Sequence, residues 1–207
     1  MPYGFMDVAR TPGVAAVQAE MGADGVWTSF KGHRAFDHFT ADEAAFLAQR
    51  DSFYIASVSE TGWPYVQHRG GPPGFLKMLD PRTLAFADYR GNRQYISTGN
   101  FRTNDRACLI LMDYGRRARL KIYVHVETLM PGADPAIAER VADPGYAASI
   151  ERIFRLRLVA FDWNCPQHIV PRFSEREIEA AVQPLHDRLA ALERENAELR
   201  RQRTERD

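Results

Sequence analysis

Between Phe53 and Phe161 the chain passes through seven short stretches rich in β-branched and aromatic residues: Phe53–Ser59, Pro64–Arg69, Phe75–Leu79, Thr83–Asp88, Ala107–Asp113, Leu120–Leu129 and Ile153–Phe161. Turn residues separate several of them. Glu60-Thr61-Gly62, Asp80-Pro81-Arg82 and Tyr114-Gly115-Arg116 read as hairpin connections, too short for the crossovers that parallel strands need. Six or seven antiparallel strands with few helices between them predict a mainly β, α+β chain closed into a barrel.

Helical signals are fewer. Thr40 followed by Glu43 is a capping box, with Phe39 placed to staple onto Ala44, so a helix is expected from Ala41 to Arg50. Arg93–Asn100 and Pro135–Val141 read as short helices. Residues 1–39 form an arm in which Val14–Met21 has the pattern for one or two turns. From Ser174 the composition shifts to helix formers and charge, opened by a second capping box, Ser174 with Glu177. There Ile178, Val182, Leu185, Leu189, Leu192 and Leu199 recur at the spacings of a coiled-coil seam. Pro184 predicts a kink or a restart near Gln183. With Leu185, Leu192 and Leu199 at d, Leu189 and Asn196 fall at a, a pattern suited to a parallel pair of helices. A tail folded back on its own barrel is the alternative. The expected organisation is an arm (1–39), a barrel domain (40–173) and a helical tail (174–207).

Charge and cysteine usage exclude several classes. Lys plus Arg equals Asp plus Glu, 27 of each, so no general field draws nucleic acid or an anionic membrane, and any anion site must be a local arginine cluster. The two cysteines, Cys108 and Cys165, lack metal-ligand spacing and suggest a reducing compartment. No apolar run reaches the roughly 18 residues of a membrane span, and the start of the chain lacks a secretory pattern, so a cytoplasmic protein is expected.

Three stretches hold more arginine, amide and aromatic side chains than a barrel core needs. Gln67-His68-Arg69-Gly70-Gly71-Pro72-Pro73-Gly74-Phe75-Leu76-Lys77 ends a strand in arginine and glycines. Asn92-Arg93-Gln94, within Ala87–Tyr95, delivers a guanidinium fork and helix-start amides, a combination that suits a phosphate. Phe161–Arg172 places Trp163 beside Asn164 and Gln167, an aromatic plane next to amides that suits a flat heteroaromatic ligand. Each has a plainer reading, as a loop, a solvated arginine or a tryptophan plugging the barrel end. His68 and His168 are candidates for a pair, though two lone histidines are more often ordinary hydrogen-bonders than ligands or bases, and Cys165 carries no sign of an activated thiol.

Taken together, these stretches resemble the pyridoxamine 5′-phosphate oxidase-like family of flavin-binding split barrels. The resemblance runs from about residue 40 to 172 and is most specific at Gln67–Gly71, Phe86–Tyr95, Asn104–Ala107 and Asn164–Ile169. It implies a split β-barrel, FMN as cofactor, and a homodimer with two equivalent flavin sites at the subunit interface. By motif, Phe75, Leu76 and Lys77 would lie along the isoalloxazine, Ala87 and Asp88 would follow on the next strand, and Arg93 and Gln94 would hold the phosphate. Trp163 and Arg172 would come from the other subunit, with Asn164 and Gln167 beside them.

Departures narrow what the resemblance implies. Arg93-Gln94 stands where the vitamin-B6 oxidases carry Arg-Lys, losing one positive charge, and the insertion Gly70-Gly71-Pro72-Pro73 separates Arg69 from the strand it would begin, so phosphate binding is expected to use Arg69 or His68 differently. Cys165-Pro166-Gln167-His168 replaces the segment that grips pyridoxal phosphate, which argues against pyridoxamine phosphate as substrate. A flavin carries its own electron chemistry, so the protein need only bind, orient and tune it. Lys77 and Arg93, with Arg119 or Lys121, are the charges expected to offset the phosphate and the reduced flavin. The expected function is an FMN-dependent oxidoreductase taking a small-molecule substrate or electron donor. The alternatives are a non-catalytic flavin-binding or redox-sensing protein, or a deazaflavin- or haem-binding barrel.

Overall fold

The computed structural model describes residues 4–23, 25, 38–163 and 166–205. These fall into two compact units, one within Met1–Asp113 and Ala118–Gln167 and the other within Tyr114–Arg117 and His168–Asp207.

The first unit carries α1 (Phe5–Ala9), α2 (Pro12–Glu20), α3 (Ala41–Ala48), α4 (Ile96–Thr103) and α5 (Pro135–Val141) around seven strands. These are β1 (Ser52–Val58), β2 (Pro64–Gly70), β3 (Lys77–Asp80), β4 (Thr83–Tyr89), β5 (Arg106–Asp113), β6 (Ala118–Leu129) and β7 (Ile150–Trp163). They form one sheet in the order β2-β1-β5-β6-β7-β4-β3, and every pairing is antiparallel. β2 and β3 follow one another in sequence yet lie at opposite edges, so the sheet curls until residues from its two ends share a core. Phe53 of β1 stacks on Phe75 at 5.4 Å and meets the edge of Phe86 of β4 at 5.1 Å. The result is a split barrel.

Strand patterns follow from what covers each face. β1 alternates buried and open residues, as one-sided burial requires. In β4 all five residues from Leu84 to Asp88 are buried. Leu84 and Phe86 enter the barrel core, while Ala85 and Ala87 pack outward against Ile137 and Val141 of α5. Small side chains on that face let the helix sit close to the sheet. Each fully buried Phe or Leu contributes about 1.5–3 kcal/mol.

α3 begins in the expected capping box, with the Thr40 N–H donating to Glu43 Oε2 at 2.8 Å. It then closes the β2–β3 loop. Gly74 has φ +75°, and a Cβ there would come within 2.9 Å of the Ala48 carbonyl oxygen, so glycine is required. On the arm, the helix expected at Val14–Met21 spans Pro12–Glu20, and Phe5 of α1 stacks on Tyr123 at 4.7 Å.

Several boundaries moved, among them the start of β7, which lies at Ile150 instead of the expected Ile153. The strand expected from Phe75 starts at Lys77, because Phe75 sits in a turn closed by its N–H to the Pro72 carbonyl. The helix expected from Arg93 starts at Ile96, because Arg93 and Tyr95 are both left-handed, with φ 63° and 54°.

In the second unit, α6 (Glu175–Thr204) opens with the Ser174–Glu177 capping box and runs without a break through Pro184. The expected restart near Gln183 is therefore corrected. Proline removes one N–H and crowds the carbonyl of residue 180, costing about 3 kcal/mol. Strong helix formers on both sides, among them Ala180, Ala181, Leu185, Leu189 and Ala190, oppose that loss. Arg172 lies over the Tyr114 ring at 5.0 Å. Among the described residues no helix is long and apolar enough to cross a membrane.

Candidate functional site

The two-residue period of a strand decides which side chains reach the open end of the barrel. On β4 the inward series Leu84, Phe86 ends in Asp88. On β7 the inward pair Phe154 and Leu156 is preceded by Arg152, and Phe86 is the register partner of Phe154 as Asp88 is of Arg152. On β2, Gln67 and Arg69 pair with the buried Ile55 and Phe53 of β1. Three strands therefore continue an apolar core into polar groups at the same level.

Those groups form one network. Asp88 is 3% exposed. Its Oδ2 accepts from Arg152 Nε at 2.8 Å and Nη2 at 2.6 Å, and its Oδ1 accepts from Arg69 Nη1. Arg69 lies over the rings of Phe86 and Phe154, and its buried Nε has no hydrogen-bond partner among the described residues. Arg152 Nη2 also bonds Glu151 at 3.0 Å, and its guanidinium lies 4.6 Å above the Tyr95 ring. The Tyr95 hydroxyl donates to Glu151 Oε1 at 3.1 Å, closing the ring of contacts. Burial works against the Arg152 charge, but the bonds to Asp88 and Glu151 outweigh it and hold its pKa above the ordinary value.

A cleft of about 270 Å³ opens over this network. Its far wall is the loop from Tyr89 to Tyr95, which leads into α4. The Gln94 N–H donates to Asn92 Oδ1 at 3.1 Å, and Asn92 Nδ2 donates to Gln94 Oε1. The N-cap residue of α4, Tyr95, makes no side-chain capping bond. Thr98 of its first turn lines the cleft together with Arg93. Left-handed backbone at Arg93 and Tyr95 costs about 1–2 kcal/mol per residue, strain of the kind that concentrates where a loop must present groups in one arrangement. Arg69, Arg93 and Arg152 face two carboxylates, Asp88 and Glu151, so the walls hold one positive charge in excess. Guanidinium forks, a helix start and a leftover buried donor together suit a phosphate ester.

Of the residues expected from sequence, the cleft gathers His68, Arg69, Gly70, Phe75, Ala87, Asp88, Asn92 and Arg93. Gln94 stands beside it, bonded to Asn92. Leu76 is in the barrel core, and Lys77 lines a separate hollow with Gly74 and Ala48. Trp163 packs on Phe46 at 4.8 Å and donates its indole N–H to Glu43 Oε1 at 2.7 Å. Burial raises the Glu43 pKa, but hydrogen bonds from Thr40 and Trp163 overcome it and hold the carboxyl below its usual value. Asn164 and Cys165 lie outside the described residues. Gln167 is exposed, and Arg172 belongs to the second unit. Sequence reading missed Thr98, Glu151 and Arg152.

Known proteins place this arrangement. The sequence pattern of the pyridoxamine 5′-phosphate oxidase family matches residues 39–155, more than half of the chain. The chain belongs to that family. All residues lining the cleft fall inside the match. No curated protein matches the sequence. Among solved structures, similar chains include HupZ from Group A Streptococcus, 14% identical, covering 65% of this chain and 100% of that one with a TM-score of 0.49. A general stress protein 26 relative of the pyridoxinephosphate oxidase family from Clostridium acetobutylicum is 16% identical, covering 66% and 95% with a TM-score of 0.45. An FMN-binding protein from Syntrophomonas wolfei is 11% identical, covering 71% and 97% with a TM-score of 0.44.

Among the described residues no group of three His, Cys, Asp or Glu side chains could hold a metal. Cys108 is half-buried, and burial pushes its thiol pKa up despite the nearby Lys121, so it is a protonated thiol at neutral pH.

Proposed function

We propose that the cleft holds the phosphate end of FMN and that the protein is an FMN-dependent oxidoreductase acting as a homodimer. The observation that carries this reading is the start of α4, whose N-cap residue makes no side-chain capping bond, set beside Arg93 in a cleft that also holds Arg69 and Arg152. Flavin binding is the property implied by the family, and these groups are what a phosphate monoester requires. Arg93 and the α4 amides would take the phosphate. Arg69 Nε has the buried, unused donor that a ligand oxygen could satisfy.

The cleft alone is small. Its 270 Å³ falls below the roughly 300–1,000 Å³ of pockets for ligands of this size, so further walls are needed around the flavin ring. A second subunit is the natural source. The outward face of β1 and β2 exposes Tyr54 (43%), Val58 (36%) and Val66 (60%), and the Tyr54 ring lies 5.5 Å from His68 at the cleft edge. An apolar face that runs up to the cleft is suited to burial against another copy. Trp163 and Arg172 are the residues proposed to approach the flavin of the other subunit.

When bound, the flavin supplies the electron transfer. The chain binds and orients it. Both cleft carboxylates are engaged with arginine, which leaves them to position cations rather than to move protons. That engagement suits a flavin-binding protein without turnover as well. A visible spectrum of the purified protein, followed by a screen of electron donors, decides between these readings. Flavin bands that bleach with a donor and return with an acceptor are expected for the oxidoreductase. Flavin with no turnover for any donor indicates the binding protein, and a sharp Soret band or no flavin uptake overturns the reading.

A further inference from the structure

We propose that α6 pairs with the α6 of a second copy of this chain as a parallel, in-register two-stranded coiled coil. The helix carries an apolar stripe at heptad positions a and d from Ile178 to Leu199, and the unbroken passage through Pro184 makes that seam continuous. Pro184 falls at position c, off the seam. Within one chain Ile178, Leu185, Leu189, Leu192 and Leu199 are 44–69% exposed, and no described residue of the helix is buried. A helix with such a stripe needs a partner face for stability in water.

Flanking charges select a copy of the same helix. In a parallel pair Arg188 at g meets Glu193 at e of the second copy, and Glu195 meets Arg200. Charge alone does not fix orientation, since an antiparallel pair that sets Leu189 against Leu192 also brings Arg188 beside Glu195. Asn196 makes the choice. At position a of a parallel pair the two amides face and hydrogen-bond each other, whereas the antiparallel pair sets each Asn196 against Leu185 and leaves it unsatisfied. Specificity thus comes from the polar residue and not from the leucines.

The test uses the full chain with Cys108→Ala and Cys165→Ala, into which Leu199→Cys is introduced at d. Mild oxidation should shift most of it to a covalent dimer that dithiothreitol reverses, because d positions of a parallel pair lie within disulfide range. Arg201→Cys, on the outer face at f, should remain a single chain. Absence of the Leu199→Cys dimer overturns the proposal and assigns the stripe to another occupant. A mixed disulfide between chains carrying Val182→Cys and Leu199→Cys, without the symmetric product, overturns it in favour of antiparallel pairing. Asn196→Leu should permit that mixed product, and failure to do so removes Asn196 as the orienting residue.

Discussion

Replacing Asp88 with asparagine removes a charge and almost no volume, so it isolates the electrostatic role of the network. Asp88 separates two guanidinium groups that lie on either side of it, with side-chain exposures of 14% for Arg69, 17% for Arg152 and 4% for Asp88 itself. Removing one partner of a buried pair costs about 3–5 kcal/mol because the remaining charge stays desolvated. Both arginines keep some access to the cleft and Arg152 retains Glu151, which places the expected loss near the lower end, about 3 kcal/mol. For a chain of this size that corresponds to a fall in Tm of about 6–12 °C. The same substitution raises the cleft from one excess positive charge to two. Inorganic phosphate, acting as a stabilising ligand, should therefore raise the Tm of Asp88→Asn more than that of the parent protein. Thermal melts with and without phosphate measure both effects. A variant as stable as the parent, or one that phosphate stabilises no more than the parent, would refute the view that Asp88 is the counterion of a cationic anion site.

Three further outcomes are expected. Arg93→Ala should weaken FMN by about 1.5–3 kcal/mol, the value of a charge-assisted contact, and leave riboflavin unchanged; equal losses for both flavins in a titration would place Arg93 away from the phosphate. Because the Glu43 carboxyl sits below its usual pKa, its stabilisation is present at neutral pH and lost as pH falls below about 4. Glu43→Gln should therefore melt lower than the parent at pH 7 by about 1 kcal/mol, as for a lost helix cap, and the gap should close in acid; a pH-independent gap contradicts this. Ala87→Leu should destabilise by about 1–3 kcal/mol by pushing α5 off β4, and an unchanged denaturation midpoint would show that the Ala face is not what sets that spacing.

The sheet was legible because turn residues and runs of β-formers recur where hairpins need them, and α5 occupies Pro135–Val141 as its pattern predicts. Local conflicts hid the rest. Helix formers after Arg93 could not show that a left-handed Arg93 and Tyr95 delay α4 to Ile96. Pro184 read as a break because sequence pattern gives no measure of how much helix on either side opposes one lost bond. The arginine and amide stretches marked the cleft, since strand ends rich in arginine and glycine have little to do in a core. Arg152 escaped because the strand was expected to begin at Ile153, which left Glu151 and Arg152 outside it, whereas β7 begins at Ile150. A usable signal was present: Arg152 continues the inward series of Phe154 and Leu156, which puts a charge where the period demands an apolar residue. Asp88 after Leu84 and Phe86 carries the same signal, and the two are register partners.

The comparison of FMN with riboflavin on the unmodified protein tests the central claim most directly, since the two ligands differ only by the phosphate that the cleft is proposed to hold. Two charge-assisted contacts at about 1.5–3 kcal/mol each predict that FMN binds about 10²–10⁴ times more tightly in an equilibrium titration. Equal affinity for the two flavins would contradict the account.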